Sequence, residues 1–177
     1  MSKWIFALIQ FFPLSTFATF AFWYGAPSVE RWLEAFQIGA LLGLFQLAIL
    51  LPQKKPLNRL VLAGNIYLIF GGIAVFLQQW WYLEIYDSLR ESAILAIMVV
   101  VGCITTFTSS YGFIAVKDVS RKYSLWLLVA TLSMLPFSIV FEGNRLYAAV
   151  IPIIFLAILH RFLSYVAKED VLVQDVS

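Results

Sequence analysis

Six long apolar runs, bounded by charges that switch sides of the chain in turn, leave this sequence few folds. The runs cover residues 4–23, 32–51, 60–79, 92–113, 124–141 and 146–163. Each is near the roughly 20 residues that an α-helix needs to cross a hydrocarbon core of about 30 Å. Charged residues make up 12% of the chain, half of the about 25% typical of a soluble domain. The expected class is all-α: a polytopic membrane helical bundle of about six transmembrane helices. With six spans in 177 residues there is no room for a separate soluble domain, so residues 1–177 are read as a single transmembrane domain.

The basic residues orient the bundle. Lys3, then Lys54, Lys55 and Arg59, then Lys117, Arg121 and Lys122, then Arg161 and Lys168 fall on one side. Only Arg31, Arg90 and Arg145 fall on the other, a split of 9 to 3 among the 12 Lys and Arg residues. The positive-inside rule then predicts both termini in the cytoplasm, N-in and C-in. Glu30, Glu34, Glu84, Asp87, Glu91 and Glu142 lie on or near the outer side. Short basic loops at the inner face attract anionic lipid, so the bilayer itself is the first expected partner. Nucleic-acid binding needs a broad basic face, which three short loops do not supply.

Small and polar residues mark expected helix contacts. Pro13 in the first run frees a carbonyl, and Ser15, Thr16 and Thr19 are close enough in sequence to help satisfy it. The first run is long and aromatic and lacks a small-x-small cleavage pattern, so a retained helix is expected rather than a secretion signal. Ser28 is a candidate helix cap after the Pro27 turn. Ala35, Gly39 and Gly43 share one face of the second helix, and Gly64 and Gly71, with Gly72 adjacent, mark the third. Such stripes let helix backbones approach closely; packing within the bundle is the expected use, with a homo-oligomer as the alternative. Gln78 to Tyr82 place aromatic rings at a membrane boundary, and the stretch 83–91 is expected to lie along the outer surface as a short amphipathic turn. The fifth and sixth runs carry Pro136 and Pro152 and are joined by the tight Glu142-Gly143-Asn144-Arg145 turn, which makes them antiparallel neighbours. The polar tail 167–177 is expected to fray.

Five residues are candidates for function within the membrane. Glu34 is the carboxylate nearest a span interior, and an intramembrane acid suggests ion coupling by default; at one turn from the outer end it also suits an interfacial role. Gln37 lies on the same helix. Thr106 and Ser110 belong to a stripe with Ser92, Ala96, Val99 and Cys103 that either lines a polar cavity or packs against a neighbour. His160 beside Arg161 suits either a proton or phosphate site or a snorkelling helix end. Catalytic sets are missing by residue type. The single histidine has no evident nucleophile partner, Cys103 is alone, no Cys/His cluster exists for a metal, and no Gly-rich phosphate loop precedes a lysine. Neither a cofactor nor an enzymatic activity is expected.

Phe11-Phe12-Pro13 in the first helix, a basic second loop and Phe70-Gly71-Gly72 in the third helix resemble the intracellular septation protein A family of bacterial inner-membrane proteins. The stretch 78–90 stands in the place of that family's charged aromatic outer segment, and 117–122 in the place of a second basic loop. Arg90-Glu91-Ser92 occupies the position of the family's Trp-Lys-Pro-Thr element. The likeness covers about residues 8–122 in order and spacing. It implies a bacterial inner-membrane protein that serves cell-envelope maintenance and septum formation through other inner-membrane proteins, without catalysis. A small transporter or channel, or a subunit of one, is the alternative, using Glu34 and the polar stripe of the fourth span.

Overall fold

The structure, a computed structural model, describes the backbone of residues 3–23, 25, 28–53, 56–117 and 119–174, and the side chains among these from 9 to 171. The Pro27 turn, Lys54, Lys55 and the last three residues lie outside the described residues, as does the side chain of Lys3. The described residues form seven α-helices and no strand: α1 Lys3–Phe22, α2 Val29–Leu50, α3 Arg59–Phe76, α4 Trp80–Leu89, α5 Ala93–Thr108, α6 Arg121–Val140 and α7 Ile151–Gln174. The class is therefore all-α, a helical bundle. Five stretches are long and apolar enough to cross a membrane: Val29–Gln53, Arg59–Phe76, Trp80–Thr108, Arg121–Val140 and Leu146–Val171. The shorter apolar stretch Ile9–Phe22 belongs to α1.

Local chemistry sets the ends of these helices. Ser28 Oγ accepts from the Arg31 amide at 3.3 Å and opens α2. Ser120 Oγ accepts from the Lys122 amide at 3.4 Å and opens α6. Each hydroxyl satisfies one of the donors that a helix start leaves without an intrahelical acceptor. The stretch 83–91, expected as a short surface turn, is mostly a true helix, α4, part of an apolar stretch long enough to span, Trp80–Thr108. It is bracketed by Gln78 (φ 55°) and Arg90 (φ 43°), two non-glycine residues in the left-handed region, which stops the helical run on either side at a cost of roughly 1–2 kcal/mol each.

Two runs end elsewhere than hydropathy suggests. The fourth run predicts helix to 113, yet α5 stops at Thr108 and the chain turns back over the next residues. The sixth predicts an end at 163 with a frayed tail, yet α7 continues to Gln174. Its polar extension is anchored: Lys122 Nζ lies 3.3 Å from Asp170 Oδ2, and the Tyr123 hydroxyl donates to the same carboxylate. A run of apolar residues marks where lipid ends, and a helix with a neighbour to hold it is free to go on.

The helices gather into two compact units. The first contains α1, α2, α4 and most of α3. Its core is aromatic: Phe17 meets Trp32 at 5.3 Å and Phe36 at 5.0 Å between ring centroids, and Phe36 meets Tyr67 at 5.4 Å. Tyr86 of α4 stacks on Tyr67 at 4.9 Å and donates its hydroxyl to the Tyr67 carbonyl at 3.3 Å. That pair pins α4 to α3. Glycine makes room for this core. At Gly71 the Phe36 ring fills the volume a Cβ would need, and at Gly72 an added Cβ would meet Ala40 Cβ and lie 2.9 Å from the Phe36 carbonyl oxygen.

The second unit contains α5, α6, α7 and the start of α3. In it α5 packs on α6 and α6 on α7. The segment after α5 folds inward, so that Phe113 and Ile114 are buried. The Phe113 ring rests against Gly102 of α5, and an added Cβ there would sit 2.8 Å from the ring. At the opposite end of α6, Arg90 Nε and Glu142 Oε1 pair at 3.1 Å.

Candidate functional site

Two of the prolines are each completed by a polar side chain from a neighbouring helix. Proline has no N–H, so it leaves the carbonyl four residues earlier without its helical donor. In α1 that carbonyl belongs to Ile9, and Gln46 Nε2 of α2 donates to it. Gln46 Oε1 in turn accepts from Asn65 Nδ2 of α3. Both side chains are buried, so the amide of Gln46 joins three helices at one point. The second unit repeats the device with different residues. Pro152 in the first turn of α7 leaves the Ala148 carbonyl, and Ser138 Oγ of α6 donates to it at 2.5 Å. Leu146–Val150, immediately before, form a π-helical turn.

The hydroxyls expected to serve Pro13 do not do so. Ser15 Oγ donates to Phe11 and Phe12 carbonyls at 2.8 and 3.1 Å. A serine reaches the carbonyl three or four residues before it, whereas the freed one is six residues away. Sequence reasoning misses Asn65 altogether. Its signal is its position, an amide in the interior of an otherwise apolar run, where an unpartnered polar group costs several kcal/mol in lipid.

The five candidate residues end in different settings. Glu34 is exposed on α2, where it borders an open groove of about 860 Å³ with Thr16, Thr19, Phe20 and Arg31. Gln37, one turn further along, is exposed and carries no part in the groove lining. Thr106 is 1% exposed and its hydroxyl has no hydrogen-bond partner among the described residues. Ser110 is not on a helix stripe, because α5 has already ended, and it is exposed in the turn that follows. His160 is half-buried on α7 against the backbone of Ile114, and its Nε2 is buried without a partner among the described residues. Thr106, Ser110 and His160 belong to the second unit, and Glu34 and Gln37 to the first.

Of the small-residue positions, Gly39 faces Leu68 and Phe17, and Gly43 faces Asn65 and Ile69. Gly64 has only Leu14 at 3.8 Å from an added Cβ. The tight approaches are Gly71 and Gly72. Among the described residues no three His, Cys, Asp or Glu side chains converge as a metal site would require.

The inward-folded segment 109–116 draws polar partners from α6 and α7. Gly112 (φ 60°) turns it, and Ser124 Oγ of α6 occupies the space where a side chain would begin. That oxygen accepts from the Phe113 amide at 3.0 Å and the Ile114 amide at 3.5 Å. The Ile114 carbonyl accepts from Ser164 Oγ of α7 at 3.3 Å. A buried loop must find partners for its backbone, and side chains of α6 and α7 provide them here.

No protein-family model, curated protein or solved structure matches the chain.

Proposed function

We propose that the chain is a non-enzymatic integral protein of the bacterial inner membrane that works by contact with membrane-protein partners, in the service of envelope maintenance and septation. The observation that supports this reading best is how the membrane-depth polar groups are used. Gln46, Asn65 and Ser138 are engaged in holding the chain's own backbone and one another, whereas Thr106 is the one buried hydroxyl left without a partner among the described residues. A carrier or channel needs polar groups free to exchange an ion or solute along a path. Glu34, the acid on which a transport reading rests, is exposed at the rim of a groove rather than enclosed. The envelope assignment comes from the resemblance of Phe11-Phe12-Pro13 and Phe70-Gly71-Gly72 to the septation protein A family.

The test is an in-cell crosslinked pull-down of the tagged protein, with mass spectrometry of what it captures. Division or wall-synthesis proteins recovered with it are the expected result. Recovery of a transport complex, or of the protein alone, overturns the scaffold reading, and the ion flux of reconstituted vesicles carrying Glu34→Gln then becomes the deciding measurement.

A further inference from the structure

We propose that the cavity between the 109–116 segment and the start of α6 binds a phosphate group at the cytoplasmic face, presented either by an anionic phospholipid headgroup or by a soluble phosphate. The cavity holds about 270 Å³, which accommodates a tetrahedral anion with part of what it is attached to. Its described lining is rich in hydroxyl-bearing residues, among them Ser109, Ser120 and Ser124.

The hydrogen-bond directions make the case. A serine hydroxyl has two lone pairs and one proton to give. Ser124 lines the cavity and is 3% exposed. Its oxygen already accepts two amides, from Phe113 and Ile114, which leaves its proton to donate and gives it no described acceptor. Ser109 is in the same position: its oxygen accepts from the Tyr111 amide at 3.2 Å and from Arg59 Nη2 at 3.5 Å. Ser120 accepts from the Lys122 amide as the cap of α6. Three hydroxyls are thus held as acceptors toward the protein, and each has its proton left for something else.

The charges agree with the donors. Arg121, the first residue of α6, lines the cavity. Arg59 reaches its wall through Ser109, and Arg59 Nε is buried without an acceptor among the described residues. Arginine is the residue suited to phosphate oxygens, and the positive end of α6 adds to the same field. A site built from hydroxyl donors, two guanidinium groups and a helix start favours an anion.

Full-length protein, delipidated in detergent, would be titrated with phosphatidylglycerol and separately with inorganic phosphate, and binding read by native mass spectrometry. Arg121 is exposed, so Arg121→Gln leaves the fold intact, and it is expected to weaken binding about tenfold, the loss of a charged hydrogen-bonding partner. Ser109→Ala weakens it in the same direction, and Arg161→Gln, an exposed basic residue that is not among the lining residues of the cavity, leaves it unchanged. Binding of inorganic phosphate with this variant pattern identifies a soluble source, and binding of phosphatidylglycerol alone identifies the headgroup. The site is overturned if neither probe binds, if Arg121→Gln and Ser109→Ala bind like the parent, or if Arg161→Gln loses as much as they do.

Discussion

Single atoms decide whether this chain packs, and two glycines and one amide show how. Replacing a helical glycine by alanine ordinarily stabilises a helix by about 1 kcal/mol. At Gly64 nothing stands closer than 3.8 Å to the new methyl group, so Gly64→Ala should follow that rule. At Gly72 the methyl would meet Ala40 Cβ and approach the Phe36 carbonyl oxygen at 2.9 Å, and backbone cannot swing away as a side chain tip does. Gly72→Ala should therefore destabilise the first unit by about 1–3 kcal/mol. The opposite signs are readable from unfolding titrations in mixed micelles followed by circular dichroism; two stabilising substitutions would refute the close approach. A parallel contrast applies to the glutamines of α2. Gln46→Leu strands the Ile9 carbonyl and the Asn65 amide and should cost about 1–3 kcal/mol, while exposed Gln37→Leu should stay within about 0.5 kcal/mol. Both glutamines look alike in the sequence. What separates them is which side of α2 meets α1, and that is set by the Phe17, Trp32 and Phe36 packing rather than by hydropathy.

At the level of elements, two proline-bearing helices depend on a neighbour to complete them. Pro13 and Gln46 form a pair of this kind, and Pro152 and Ser138 another. The pairing carries its own test. Pro13→Ala restores an N–H that can reach the Ile9 carbonyl inside α1, so Gln46→Leu should cost markedly less in that background than in the parent. Interhelical hydrogen bonds in membrane proteins average about 0.6 kcal/mol because the unfolded helices find other partners. A proline-freed carbonyl starts without one, so the coupling energy of this cycle should exceed that average. Additive effects of the two substitutions would mean that Gln46 acts by packing alone. The prolines themselves are legible in the sequence, and so are the runs that form α1, α2, α3 and α6. Their partners are not. Gln46 is far from Pro13 along the chain, and a local reading offers Ser15, Thr16 and Thr19 first. The inward turn at 109–116 is hidden for a related reason: Phe113, Ile114 and Ala115 are apolar, and hydropathy cannot distinguish residues buried in lipid from residues buried under α6 and α7.

Across the whole molecule, apolar exposure and charge act on different variables. Leu41, Phe45, Trp126 and Ile158 are each more than 60% exposed, an arrangement that water would penalise at about 25 cal/mol per Å² of apolar surface and that lipid accommodates. This exposure suits helices that lie in a membrane but is indifferent to which way up they lie. Direction is left to the 9 to 3 distribution of Lys and Arg, because translocating a basic loop is the costly step. The fold class is therefore largely legible in the hydropathy of the chain, and the expected orientation rests on charges, some of which, such as Lys122 against Asp170, also hold helices together. In a Cys103→Ser background, a cysteine at Asn144, in the exposed turn between α6 and the π-helical turn before α7, should react with a membrane-impermeant maleimide added to intact cells. A cysteine at Glu169, on the exposed polar extension of α7, should react only after permeabilisation. Equal labelling of both positions in intact cells would mean that the chain inserts in two orientations. Reversed labelling would place the hydroxyl-lined cavity at the start of α6 outside the cytoplasm and remove the inner-leaflet source of its phosphate. Neutralising Lys117, Arg121 and Lys122 together reduces the bias to 6 against 3, and Asn144 should then lose part of its outside labelling while Glu169 gains it.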